Sequence, residues 1–188
     1  MLYIDIETDG LPLNYANNWK IYTNYPEIIQ ISWKYENEDI EDYYVQYSGT
    51  KTEFFSKHIT LDLLKAEGIS TVDLITKLTA ILDKTRVIIA HNIEFDYNVL
   101  FAFLYKNKVN MVPYSKFKIK TFCSMEHGKY ITNFPRLKYP KLGELYKKVC
   151  NKDFDLTRAH NSKYDIECLI EIMDNSAELN AKLNAHLL

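Results

Sequence analysis

The chain has 188 residues, of which 47% are hydrophobic and 26% charged, and a formal net charge of -2. That length bounds one domain able to bury a sizeable core, and the composition excludes a disordered or fibrous chain. The longest apolar runs, such as 87–90, are far too short to span a bilayer. No basic-then-apolar leader opens the sequence, and Cys123, Cys150 and Cys168 show no metal-ligand spacing. A soluble, cytoplasmic protein with free thiols is the expectation.

Residues 2–7 alternate with β-type side chains and predict a first strand, ended by Asp9-Gly10-Leu11-Pro12. Segments 28–35 and 43–47 predict two more strands, with the acidic 36–42 run as their turn. Ser70 or Thr71 can cap a helix over 72–82, which places Val72, Ile75, Leu78, Thr79 and Leu82 on one face. A buried strand over 86–90 follows, then a helix over 93–105 capped by Asn92. Residues 107–140 hold Pro113, Pro135 and Pro140 and predict mostly irregular chain, with a short helix near 121–127. Helices over 142–149, 162–173 and 178–188 complete the pass. This order indicates an α/β domain with a mixed sheet. It divides into a domain over 1–174 and a helical tail over 175–188.

Charge is unevenly spread. Residues 106–152 hold eleven Lys and Arg136 against Glu126 and Glu144, a local net charge of +10, so the remainder carries -12. Tyr105, Tyr114, Phe117, Phe122, Tyr130, Phe134 and Tyr139 interleave with these cations. Lysines neutralise phosphates and aromatic faces stack on bases, so the stretch has the composition of a single-strand nucleic-acid surface. A solvated lysine face accounts for it equally well.

Three segments carry the chemistry. Asp5-Ile6-Glu7 puts two carboxylates on the same face of a strand, where both can reach one cation. A buried acid pair is costly unless a cation compensates it. Asp39-Ile40-Glu41 and Asp165-Ile166-Glu167 repeat the tripeptide in a turn and on a helix, so context singles out residue 5. The other two segments echo each other. Residues 90–96 and 159–165 share Ala-His-Asn-x-x-aromatic-Asp, with His and Asn at a helix start and Asp one turn inside. Capping and packing explain either heptad alone; two copies beside a paired-carboxylate strand favour a metal-and-base corner.

Asp-x-Glu-Thr, then His-Asn-x-x-Phe-Asp, then His-x4-Asp, in this order, resembles the DEDD superfamily of 3′–5′ exonucleases. The histidine (DEDDh) subgroup, typified by the DnaQ-like proofreading subunit of bacterial DNA polymerase III, is the best match, over residues 2–173. The resemblance implies a ribonuclease H-like fold with a central mixed five-stranded sheet flanked by helices. It implies two divalent metal ions, Mg²⁺ or Mn²⁺, held by Asp5, Glu7, Asp96 and Asp165, with the scissile phosphate clamped between them. It assigns the general base to His160, and the polar loop 153–158 before that residue would let it move. The base must be neutral, so activity is expected to rise through the ordinary imidazole range. Thr8, Asp9, Gly10 and Leu11 are expected to meet the terminal nucleotide, and His58, Ile59, Asn92 and Phe95 are further substrate candidates. Asp9 departs from the Thr or Ser common there.

The expected activity is release of nucleoside 5′-monophosphates from the 3′ end of single-stranded DNA, in proofreading or as a stand-alone enzyme. An RNA 3′–5′ exonuclease is the alternative within the same chemistry, since nothing in the sequence reads a 2′-hydroxyl. A nucleic-acid-binding module without catalysis would lack an acid or the His, and all five are present. The expected partners are a nucleic-acid 3′ end, DNA ahead of RNA, and a polymerase where the domain serves as a subunit; no membrane is expected.

Overall fold

The structure is a computed structural model that describes residues 1–14, 18–114 and 118–187. Five strands build the sheet: β1 (Leu2–Thr8), β2 (Ile28–Tyr35), β3 (Glu41–Tyr44), β4 (Val87–Ala90) and β5 (Lys120–Cys123), in the order β3-β2-β1-β4-β5. β1 pairs antiparallel with β2 and parallel with β4, so it lies at the centre of a mixed sheet. The outer pairs are antiparallel β2–β3 and parallel β4–β5. The helices are α1 (Leu61–Glu67), α2 (Thr71–Asp83), α3 (Ile93–Lys106), α4 (Ser124–Thr132), α5 (Leu142–Cys150), α6 (Ser162–Asn175) and α7 (Ala177–Leu187).

Alternation along β1 divides the core. Leu2, Ile4 and Ile6 pack in one cluster with α2 and α3 residues such as Leu78, Leu100 and Phe101. Tyr3 faces the other way and joins Leu145, Ile166 and Leu169 of α5 and α6. Helices therefore cover both faces, as a central strand bordered by a parallel neighbour requires.

Two elements differ from expectation. The third strand runs over Glu41–Tyr44, drawing on the acidic run, while Val45 lies past its end, donating to the Ile29 carbonyl at 3.0 Å and forming a bridge with Ile69. The fifth strand, Lys120–Cys123, occupies chain expected to be irregular or helical. It has four residues and no room for a readable alternation, and it forms because β4 offers its free edge from Val87 to Ala90. Helix α4 begins directly after it. The tail is docked: Leu179 and Leu183 of α7 are buried in the same cluster as α6. No helix among the described residues is long and apolar enough to cross a membrane.

Candidate active site

Asp5 and Glu7 share a face of β1 with Tyr3, towards α6. Only Leu2 and Tyr3 of β1 pair with β4, at Ile88 and Ile89. Beyond Ala90 the chain turns into α3, and the Ile6 amide donates instead to Asp96 Oδ1 at 3.0 Å. A side chain from α3 thus replaces a backbone acceptor, and the third carboxylate is fixed beside the first two.

The fourth comes from α6. Asn161 caps this helix, its side chain accepting from the Tyr164 amide at 3.2 Å. Ser162 is fully buried; its hydroxyl lies 2.6 Å from Ser32 Oγ on β2 and its amide donates to Gln30 Oε1 at 3.4 Å. The helix start is therefore tied to β2, which sets Asp165 one turn further on against Glu7. One ligand atom each from Glu7, His160 and Asp165 lies within 4.8 Å of the other two.

Burial and mutual repulsion load this cluster. Asp5 is pushed well above the usual carboxylate range, by desolvation first and then by Asp96, Asp165 and Glu7. Asp96 is raised for the same leading reason, against the stabilising Ile6 amide. Desolvation and then Asp165 lift Glu7 to about 8, and desolvation lifts Asp165 to about 7 against the His160 backbone amide. Asp5 Oδ2 and Asp165 Oδ1 are buried with no hydrogen-bond partner in the protein. Four acids that resist joint ionisation, two of them with orphaned oxygens, are the donor set that hard divalent cations satisfy. The residues fit such ions.

The two heptads diverge in three dimensions. His91 Nδ1 lies 2.9 Å from Ser124 Oγ and Nε2 lies 3.0 Å from the Pro140 carbonyl, so both ring nitrogens are engaged. A carbonyl only accepts, so Nε2 carries the proton, and burial lowers the imidazole to about 4. His91 is a neutral brace between the end of β4, the start of α4 and the approach to α5. His160 is exposed and takes a left-handed backbone, φ 61°. His is among the residues that visit this region, at a cost of about 1–2 kcal/mol. In the first heptad the left-handed residue is Asn92, φ 73°, and its side chain makes no capping bond, contrary to expectation.

A cleft of about 860 Å³ opens over the carboxylates. Thr8, Gly10, Leu11, Asn92, Phe95 and His160 line it. Three predicted substrate residues lie elsewhere. Asp9 accepts from the Glu27 amide and the Tyr47 hydroxyl, both at 2.8 Å, and so anchors the loop after β1. Ile59 is fully buried in a small cluster with Ile29, Phe55 and Leu64, and His58 is not among the lining residues. The far wall went unread in the sequence: Phe54, Lys141, Gly143, Phe154 and Leu156. Only the exposed apolar character of Phe54 and Leu156, at 45% and 78%, sets these positions apart, and exposure is invisible in a sequence.

Four acids thus converge at the central strand of a mixed five-stranded, ribonuclease H-like sheet. The RNase_T exonuclease family model matches residues 2–173, and the chain belongs to that family. No curated protein matches the sequence significantly. Among solved structures, E. coli Exonuclease I in complex with a dA16 oligonucleotide is similar at TM-score 0.71 and 13% identity, over 98% of this chain and 43% of that one. Exonuclease I from Methylocaldum szegediense gives TM-score 0.70 and 13% identity, over 97% and 42%. The chain thus spans less than half the length of these enzymes. The nuclease domain of 3′hExo, a DEDDh family member bound to rAMP, gives TM-score 0.64 and 16% identity over 100% of this chain and 93% of that domain.

Proposed function

We propose that the protein is a 3′–5′ exonuclease of the DEDDh type, similar to the DnaQ-like enzymes, releasing nucleoside 5′-monophosphates from single-stranded DNA. The observation that carries this reading is the exposed His160 imidazole within 4.8 Å of Glu7 and Asp165, beside the unpartnered Asp5 and Asp165 oxygens. Asp5, Glu7, Asp96 and Asp165 would hold two divalent cations, Mg²⁺ or Mn²⁺. When bound, these supply the positive charge that stabilises the entering and leaving oxygens of a phosphodiester displacement. His160 takes the proton of the attacking water as its oxygen bonds to phosphorus, and the bond from phosphorus to the 3′ oxygen breaks. Left-handed backbone at His160 sets its ring beside the acids, while the paired nitrogens of His91 exclude that residue from proton transfer. Leu11 and Phe95 give the terminal base an apolar seat.

RNA is the second reading, favoured by the near-equal length of the 3′hExo nuclease domain, whose structure holds rAMP. A 5′-labelled 12-mer, as DNA and as RNA, incubated with Mn²⁺ decides. A 3′-end ladder lost in His160→Ala and Asp5→Asn supports the proposal, and the better-cut sugar names the substrate. Products that shorten from the 5′ end, or a ladder kept by Asp5→Asn, would refute it.

A further inference from the structure

Lys116 and Phe117 of the +10 stretch lie outside the described residues, and Lys141 and Lys147 line the cleft, but part of the rest forms a surface of its own. Tyr130 on α4 and Tyr139 before α5 are each 50% exposed. Between them lies Lys129, its ammonium 5.1 Å from the Tyr130 ring centroid and 5.0 Å from that of Tyr139. The Lys182 ammonium of α7, which also pairs with Glu178 at 3.3 Å, sits 4.5 Å from the Tyr130 centroid. The Tyr130 ring is therefore gripped by two cations from separate helices. Arg136 and Leu137, at φ 59° and 50°, turn the intervening loop tightly, and both are exposed. Backbone strain at two adjacent non-glycine residues persists only where the surroundings hold it.

This surface lies close to the cleft along the chain. Tyr139 precedes Pro140, whose carbonyl is held by His91, and Pro140 precedes Lys141, a cleft-lining residue. Lys141 at the cleft is thus two residues from Tyr139, which shares Lys129 with Tyr130, beside which Lys182 lies. Half-exposed rings beside flexible lysines suit bases and their backbone, each ammonium moving from the ring to a phosphate as a base takes its place, whereas an acidic protein would use the charge and leave the rings idle.

We infer that this ridge is a distal binding path for the single strand, which stacks its bases on Tyr139 and Tyr130 upstream of the 3′ end being hydrolysed. The inference rests on the exonuclease reading, since it takes the strand to enter from the cleft. Affinity then grows with strand length beyond what the cleft alone gives, and the gain depends on rings and cations separately.

Fluorescence anisotropy tests this with the full chain in EDTA, using 5′-fluorescein dT and rU strands of three and twelve nucleotides. The wild type is expected to gain affinity from 3-mer to 12-mer. Tyr130→Ala/Tyr139→Ala, with Tyr130→Leu/Tyr139→Leu as the bulk-preserving version, should cut that gain by about tenfold or more. Lys129→Gln/Lys182→Gln should flatten the salt dependence of 12-mer binding by about 0.7 in log–log slope per cation removed. No length-dependent gain in the wild type, or an undiminished gain in the leucine variant, would overturn the inference. So would displacement of the 12-mer by polyglutamate as effective as that by unlabelled strand. Adding Mn²⁺ to the same samples reports separately on the exonuclease reading, through the 3′ ladder.

Discussion

Replacing Glu7 by Gln should make the metal-free protein more stable while weakening its response to metal. Burial and Asp165 move this carboxyl from an ordinary 4.5 to about 8. Folding raises the group above its unfolded value, so its contribution to stability is fully present below about pH 4.5 and is lost as pH rises through about 8. Counting about 1.36 kcal/mol per pH unit from there to neutrality, holding Glu7 buried costs about 3 kcal/mol at pH 7. Partial solvent contact and proton sharing among the four acids reduce this to roughly 1–3 kcal/mol. For a chain of this size that is a rise of a few to about ten degrees in Tm. The assay is thermal unfolding of wild type and Glu7→Gln in EDTA at pH 5 and pH 8, then with millimolar Mg²⁺. The variant should melt higher at pH 8, the difference should shrink at pH 5, and Mg²⁺ should raise the wild type more. Equal melting temperatures at pH 8 would refute the claim that the cluster stores electrostatic strain.

The two histidines should separate cleanly. His160→Ala should lower strand hydrolysis by about 10²–10⁴-fold yet keep a Mg²⁺-induced rise in Tm, whereas His91→Ala should lose about 1–3 kcal/mol of stability in urea unfolding, because Ser124 and Pro140 lose their partner. Equal hydrolysis rates in the two variants would contradict this division. Leu179→Ala, at a fully buried position of α7, should cost about 2–5 kcal/mol in the same unfolding assay, and a negligible change would make the tail a separable segment. Gly143→Ala places a Cβ 2.8 Å from the Phe154 ring, so it should cost about 1–3 kcal/mol and raise KM as Phe154 shifts in the cleft.

Local signals were readable wherever a pattern repeats within one element. Alternation marked β1 and placed Asp5 and Glu7 on one face, and the Ser70 cap marked α2 within a residue at each end, although its buried face is Leu74, Leu78, Ile81 and Leu82, with Val72 exposed. The order of acids and histidines was enough to suggest the family. Long-range contacts were not readable. β5 is four residues long and exists because β4 has an edge to pair, a fact written in another part of the chain. The two heptads are nearly the same string, yet His91 is locked by Ser124 and Pro140, 33 and 49 residues away, while His160 is left exposed beside Glu7 and Asp165.

Asp9 shows the same division from the other side. By position it belongs with the residues that meet a nucleotide, but Glu27 and Tyr47 claim its carboxylate for the loop. Sequence alone pointed to the exonuclease class, because residue type and spacing set what a strand face or a helix start can present. Only the tertiary structure decided which histidine is exposed, how closely the acids converge and which residues wall the cleft. Those depend on desolvation and on partners far along the chain, and neither is a local property.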